Sequence, residues 1–213
     1  MADTSTLSYK PQVLVDTADL PEKDWLEYRR RGIGGSDAAS ILGVSPFKTA
    51  RDLYYDKLKI VTYEDPEENW VQKKMGHLLE DLVAEIFHVR TGYEIYQVKK
   101  MFYHPKYPFM LADVDYFITM PNGETAILEI KTTNYNATDH WWVNGVEAVP
   151  VNYEIQGRHY ILLFEVPRGF IFRSHYHYTI FQIRSPCNGF CNAFCKFFNF
   201  LLTLYHFNDI IVV

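Results

Sequence analysis

The spacing of apolar positions changes character several times along the chain. Between residues 70 and 90, Val71, Met75, Leu78, Leu79, Leu82, Val83, Ile86 and Phe87 recur at intervals of three and four. That is the period of a helix with one apolar stripe, and Gly92 ends it. Residues 94–103 read as a strand. Two further apolar runs, 110–119 and 125–132, flank Pro121-Asn122-Gly123 and predict a hairpin. Residues 151–164 predict another helix, and from Gly169 the pattern turns to strand. Upstream, residues 1–20 read as an extended arm. A short helix follows over 21–31, with Asp19 or a neighbour as its cap. Gly32, Gly34 and Gly35 make a loop, and Ser36 or Asp37 can cap a helix that Gly43 ends. Ser45-Pro46 opens one more helix, roughly 49–58. Helix, three strands, then helix predict an α/β fold with a central mixed sheet flanked by helices.

Within this pattern, ILEIKTT (127–133) holds one acid and one base. Side chains alternate along a strand, so Glu129 and Lys131 point to the same face. Taken alone, the pair reads as a surface ion pair of little worth.

Composition narrows the choices. The 213 residues are 48% hydrophobic and 22% charged, enough for one globular core. The net charge of −5 argues against a protein that coats nucleic acid, but not against an enzyme that acts on it. The start, MADTSTLSYKPQ, lacks the basic-then-apolar pattern of a signal peptide. No apolar run reaches the length of about 18 residues that a membrane span needs. The three cysteines, Cys187, Cys191 and Cys195, are odd in number and predict a reducing, cytoplasmic setting. From Val166 onward the only acid is Asp209, against Arg168, Arg173, Arg184 and Lys196, and Phe is abundant. That break fits either a hydrophobic final helix or a changed reading frame. The chain therefore divides into an arm (1–20), a core (21–166) and an atypical hydrophobic segment (167–213) that completes the core or is appended to it.

The upstream strand of the hairpin carries Asp113 and Asp115, on one face. Antiparallel pairing across the turn brings Asp115 toward Glu129. Glu80 stands near the apolar stripe of the long helix, where an unpaired acid is expensive. Three converging acids and one lysine suit Mg²⁺ or Mn²⁺, which prefer oxygen ligands. Such ions can flank a phosphodiester, and a nearby lysine can serve the attacking water.

Asp115…Glu129-x-Lys131 has the spacing of the PD-(D/E)xK nucleases. Four blocks in order make the resemblance more specific: WLEYRRRGIGGSDAASILGVSP, MGHLLE, PFMLADVDYFI with LEIKTT, and NYEIQGRHYI. Together they resemble the phage lambda exonuclease and YqaJ-type viral recombinase family over roughly residues 24–166. The resemblance implies a restriction-endonuclease-like fold. It implies a metal site of Glu80, Asp115, Glu129 and the Ile130 carbonyl. Lys131 serves the nucleophilic water, and Gln156 orients substrate or water. Arg29 and Ser36 hold a DNA phosphate, the terminal 5′-phosphate in an exonuclease. A Gly-rich turn before a helix, with amide N–H groups turned to an anion, fits that role.

The implied activity is Mg²⁺-dependent 5′→3′ digestion of linear double-stranded DNA, leaving 3′ single strands for recombination. The implied partners are DNA ends, a single-strand annealing protein and two further copies in a trimer, in a bacterial cytoplasm and encoded by phage or prophage. Other readings are an endonuclease, a Cas4-like end-trimming nuclease, or an inactive DNA-end-binding module. Three cysteines rather than four speak against the iron–sulfur type. Val114 stands where the motif has its nominal proline, and Arg158 where a second glutamine is common.

Several residues have plainer readings. Asp113 reads as a solvated or loop-facing acid. Gly32-Ile33-Gly34-Gly35 reads as a turn. His140, Trp141 and Trp142 read as packing against the sheet rather than stacking on bases. His159 reads as a packing or capping residue. Lys73, Lys74, Lys99 and Lys100 are equally open to a DNA track or to plain solvation.

Overall fold

Strand β6 (Thr125–Thr132) is the strand on which the fold is built. Its residues alternate between two apolar layers rather than between core and water. Ala126, Leu128 and Ile130 enter one layer, and Ile127 enters the other. A strand buried on both faces reads as an almost unbroken apolar run. The computed structural model describes residues 10–60, 67–133, 140–174 and 179–184. In it β6 is the third of five strands, in the order β10 (Thr179–Arg184), β9 (Arg168–Ser174), β6, β5 (Tyr116–Thr119), β2 (Glu94–Tyr96). β6 is parallel to β9 and antiparallel to β5, so the sheet is mixed.

Helix α5 (Val151–Phe164), with α2 (Gly35–Ile41) packed on it, covers one face. Helix α4 (Glu67–Thr91) covers the other. Phe87 of α4 drives that contact, with its ring 5.3 Å from Phe172 and 6.2 Å from Phe170. The expected α/β fold with helices on both faces is present. Among the described residues no helix is long and apolar enough to cross a membrane.

A second, smaller sheet joins β1 (Gln12–Asp16), β3 (Lys100–Tyr103) and β4 (Leu111–Ala112). Part of the expected arm is therefore a paired strand. The expected strand over 94–103 is in fact β2 and β3, in different sheets. Lys99 breaks it with φ at +51°, a left-handed conformation that a lysine does not announce in sequence. The run over 110–119 also divides. β4 joins the small sheet and β5 the central one, and Asp113, Val114 and Asp115 cross between them. Asp113 and Asp115 thus do not share one strand face.

The remaining expectations hold with local changes. Helices α1 (Glu22–Arg30) and α3 (Ala50–Lys57) are present. Pro21, not Asp19, is the N-cap of α1. Gly34, not Ser36 or Asp37, is the N-cap of α2, and Asp37 reaches back to its N–H. Gly123 takes the left-handed conformation in the hairpin turn, with φ +81°. Only one flank of the α4 stripe is buried: Val83 and Phe87 are covered, whereas Val71, Met75, Leu78 and Leu82 are exposed. Trp141 packs between Tyr153 and Phe181. Trp142, on the small hairpin of β7 (Trp142–Val143) and β8 (Val146–Glu147), and His140 are exposed, so those two do not pack. Strands β9 and β10 complete the central sheet, which carries the core well past residue 166. The three cysteines lie outside the described residues.

Candidate active site

The hairpin brings Asp115 to Glu129 by stopping short. The last paired residues are Tyr116 and Leu128, and the chain leaves the ladder at Asp115. The Ile130 N–H then has no strand partner on that edge, and it donates to Asp115 Oδ2 at 2.8 Å. In an antiparallel ladder one residue's N–H and C=O share an edge. The Ile130 carbonyl therefore opens on the Asp115 side.

Glu129 and Lys131 leave β6 on the face that α5 covers. Lys131 Nζ donates to Glu129 Oε1 at 2.6 Å, and Gln156 Nε2 of α5 donates to the same oxygen. The other oxygen, Oε2, is buried without a hydrogen-bond partner. A buried carboxylate oxygen left unpaired is costly. Burial, followed by the charge of Asp115, raises the Glu129 carboxyl to about 8, although Lys131 pulls the other way. Burial also raises Asp115, against the Lys131 ammonium and the Ile130 N–H.

Glu80 comes from α4. Gly76, one helical turn before it, lets the helix pass close to β6, because a Cβ there would lie 3.3 Å from Thr132 Oγ1. The Glu80 carboxyl is raised to about 7 by burial, then by Asp115 and Asp81. Lys131 retains its ammonium: burial opposes it, but Glu129 and Asp115 outweigh burial and raise its pKa. Three carboxyls thus crowd around one ammonium. Among the described residues no three His, Cys, Asp or Glu side chains close around a single point. The donors are nevertheless all oxygens, they carry excess negative charge, and one of them is orphaned. That set fits a hard divalent cation.

A second cluster lies at the start of α2. Arg29 Nη2 donates to Ser36 Oγ and, at 3.3 Å, to Asp37 Oδ1. The guanidinium lies 5.3 Å from the Trp25 ring, and Trp25 Nε1 donates to Asp113 Oδ2 at 2.6 Å. Asp113 is therefore half-buried and partnered, not solvated, because the indole of α1 reaches it. The glycines serve packing. A Cβ on Gly32 would lie 2.4 Å from the Phe109 carbonyl, and one on Gly35 would lie 2.7 Å from the Tyr160 ring. The Gly34 N–H is taken by Asp37 Oδ2, so this one amide is not open to an anion. His159 is fully buried with Nε2 2.9 Å from the Leu111 carbonyl, a packing role as expected.

All the residues singled out from sequence thus fall into two groups: Glu80, Asp115, Glu129, Ile130, Lys131 and Gln156 in one, Arg29 and Ser36 in the other. Sequence reasoning missed Trp25, Asp37, Lys57 and Tyr160. Tyr160 follows Gln156 by one turn, and Gln156 Nε2 lies 3.4 Å from its hydroxyl. That four-residue spacing was the one available signal.

Residues 24–163 match the YqaJ-like viral recombinase domain. The chain belongs to that family. It is 39% identical over 155 residues to a protein of Bacillus subtilis described as uncharacterized protein YqaJ. The match covers 72% of this chain and 46% of that one, so the chain spans about half the length of this relative. The fold is similar to LHK-Exo solved in complex with dAMP: TM-score 0.65, 14% identity, 88% of this chain and 92% of that one. It is also similar to the alkaline exonuclease of Laribacter hongkongensis, with TM-score 0.60, 15% identity and coverage of 88% and 98%. A phage-related exonuclease from Haemophilus somnus gives TM-score 0.53, 15% identity and coverage of 78% and 88%. At these identities the likeness is one of fold, and the family's fold is thereby the one described above.

Proposed function

We propose that this domain is a metal-dependent deoxyribonuclease, an exonuclease that degrades linear double-stranded DNA from 5′ ends and leaves 3′ single strands for phage-type recombination. The observation that carries this reading is the buried Glu129–Lys131 pair beside Asp115, with Glu129 Oε2 unpartnered. A binding module has no use for so costly a group. Glu80, Asp115, Glu129 and the Ile130 carbonyl would hold Mg²⁺ or Mn²⁺. Such a cation supplies positive charge at the scissile phosphate. Lys131, still protonated, offsets charge that builds on the phosphate and orients the attacking water. Glu129 and Gln156 fix the position of that ammonium and of the substrate. Arg29, beside Ser36, binds the terminal 5′-phosphate, since a guanidinium matches phosphate geometry.

The family and the exonuclease fold support this reading, and LHK-Exo has been solved with dAMP bound. A single-strand annealing protein as partner, a homotrimer and a bacterial cytoplasm with a phage or prophage gene belong to the same proposal. The test is digestion of linear duplex with Mg²⁺, comparing 5′-phosphoryl with 5′-hydroxyl ends and a covalently closed circle, for wild type and Lys131→Ala. Loss of the linear 5′-phosphorylated duplex alone, abolished by the substitution, is the expected result. Cutting of the circle would make the protein an endonuclease. DNA binding without cutting would make it an end-binding module.

A further inference from the structure

Lys57 is a lysine with no obvious reason to be buried. Its side chain is 3% exposed, and it comes from the last turn of α3. Its Nζ donates to Asp37 Oδ2 at 2.8 Å and to the Arg29 main-chain carbonyl at 2.9 Å. Asp37 is equally buried, and its other oxygen receives Arg29 Nη2. One ammonium therefore grips Arg29 twice, directly through its backbone and indirectly through Asp37 and its guanidinium. Burying such a pair gains little stability over an apolar pair of the same shape. What it does supply is orientation.

The charges around it are unequal. Arg29 and Lys57 are two cations that share Asp37, and the next carboxylate, Asp56, is taken by Arg30 and Lys48. The uncompensated charge lies with Arg29, whose side chain is 33% exposed, next to the exposed Ser36. That is the end of the cluster an anion can reach. Arg29 on its own exposed helix would sample many rotamers, and holding a long side chain in one geometry costs entropy at the moment of binding. A buried anchor removes that cost beforehand.

We propose that the Lys57–Asp37 pair is a positioning device for recognition of the 5′-terminal phosphate. It holds Arg29 against Ser36, and so sets the preference for a phosphorylated over a hydroxyl end. This rests on the reading of Arg29 and Ser36 given above. Neither Lys57 nor Asp37 touches DNA in it.

The test separates end preference from cutting. Binding of short duplexes with 5′-phosphoryl and 5′-hydroxyl ends is measured by fluorescence anisotropy in EDTA, and the ratio of the two Kd values is the readout. Wild type should prefer the phosphorylated end, and Arg29→Ala should abolish the preference. Lys57→Met should reduce the ratio about tenfold, the scale of a misplaced charge-assisted contact, with the 5′-hydroxyl Kd unchanged. Lys57→Met leaves Asp37 buried beside one cation instead of two. If thermal melting shows it unfolded, the double variant Lys57→Met/Asp37→Asn removes both charges, and the same loss is expected of it. A merely structural role would weaken both duplexes alike. A folded Lys57 variant that keeps the wild-type ratio overturns the inference alone. A wild type with no preference overturns the phosphate pocket and the inference with it. Failure of wild type to cut DNA while the ratio behaves as stated would count against the nuclease reading only.

Discussion

Two buried carboxylates, Asp37 and Glu129, have moved in opposite directions. Burial raises both. At Asp37 the Lys57 ammonium and the Arg29 guanidinium outweigh it and hold the carboxyl well below the usual range. At Glu129 the neighbouring Asp115 adds to burial, and the carboxyl rises to about 8. The hydrogen bonds follow the charges. Asp37 uses both oxygens, on Lys57, Arg29 and the Gly34 N–H. Glu129 loads one oxygen twice and leaves the other orphaned. Depth therefore does not decide the state of a buried acid; the count of partners does. In the first cluster the carboxylate is fully partnered within the chain. The second is short of positive charge, which is the mark of a site that takes its cation from outside.

The largest expected effect tests the second cluster. Lys131→Ala should lower cutting of duplex DNA by about 10²–10³-fold, the loss typical of one preorganised charge-stabilising group, while far-UV circular dichroism stays unchanged. Cutting retained within a few-fold would mean that the acid cluster is not where chemistry happens.

Stability should separate the clusters in the other sense. Asp37→Asn strands the buried Lys57 ammonium and removes a partner of the half-buried Arg29, and should cost about 3–5 kcal/mol in urea denaturation. Glu129→Gln relieves a crowd of like charges, so the metal-free protein should lose almost nothing or gain. Equal losses at the two positions would erase the distinction drawn between a finished scaffold and an open site.

The titrations give a third way to break it. Glu129 and Glu80 have folded pKa values of about 8 and about 7, raised above the ordinary 4.5. The folded protein then binds more protons than the unfolded one between those limits, so stability falls as pH rises from about 4.5 toward 8. Asp37 has the opposite sign. Its contribution is present above its ordinary 3.8 and is lost as the pH falls below it. Metal-free protein should therefore melt at lower temperature at pH 8.5 than at pH 5.5, by a few degrees. Mg²⁺ should raise the melting temperature more at pH 8.5, where protons no longer compete for the carboxylates. A Mg²⁺ shift that is the same at both pH values would argue that the raised carboxyls are not its ligands.

How much of this was legible depended on where the chemistry sat. Asp115, Glu129 and Lys131 were readable because they interrupt apolar runs at spacings that a hairpin brings together. Gln156 and Glu80 were readable through the blocks of the family resemblance. Lys57 gave no signal, since a lysine near the end of an amphipathic helix is ordinarily a solvated one. Asp37 looked like a cap residue and is in fact the hub of a buried network. The strand breaks at Lys99 and at residues 113–115 were invisible for a related reason. At 112–116 apolar alternation continues while the backbone changes sheet, and at Lys99-Lys100 two adjacent lysines read as solvated strand positions. At α4 the apolar stripe was wider than the buried one, because periodicity marks a face without stating how much of it another element covers.

The smallest effect concerns the link between the clusters. The Trp25 ring lies against Arg29, and its indole N–H holds Asp113, two residues before Asp115. Trp25→Phe keeps a ring beside the guanidinium and removes only the N–H. The loss should be about 1.5 kcal/mol, the low end for one hydrogen bond to a charged partner. Asp113, already raised by burial, should rise further once its donor is gone. Combined with Asp37→Asn, the two costs should add within about 0.5 kcal/mol if Trp25 and Asp37 grip Arg29 independently. A larger coupling, read from a double-mutant cycle in urea, would mean that the scaffold extends through Trp25 to the segment that carries Asp115. The two clusters would then respond to mutation as one unit.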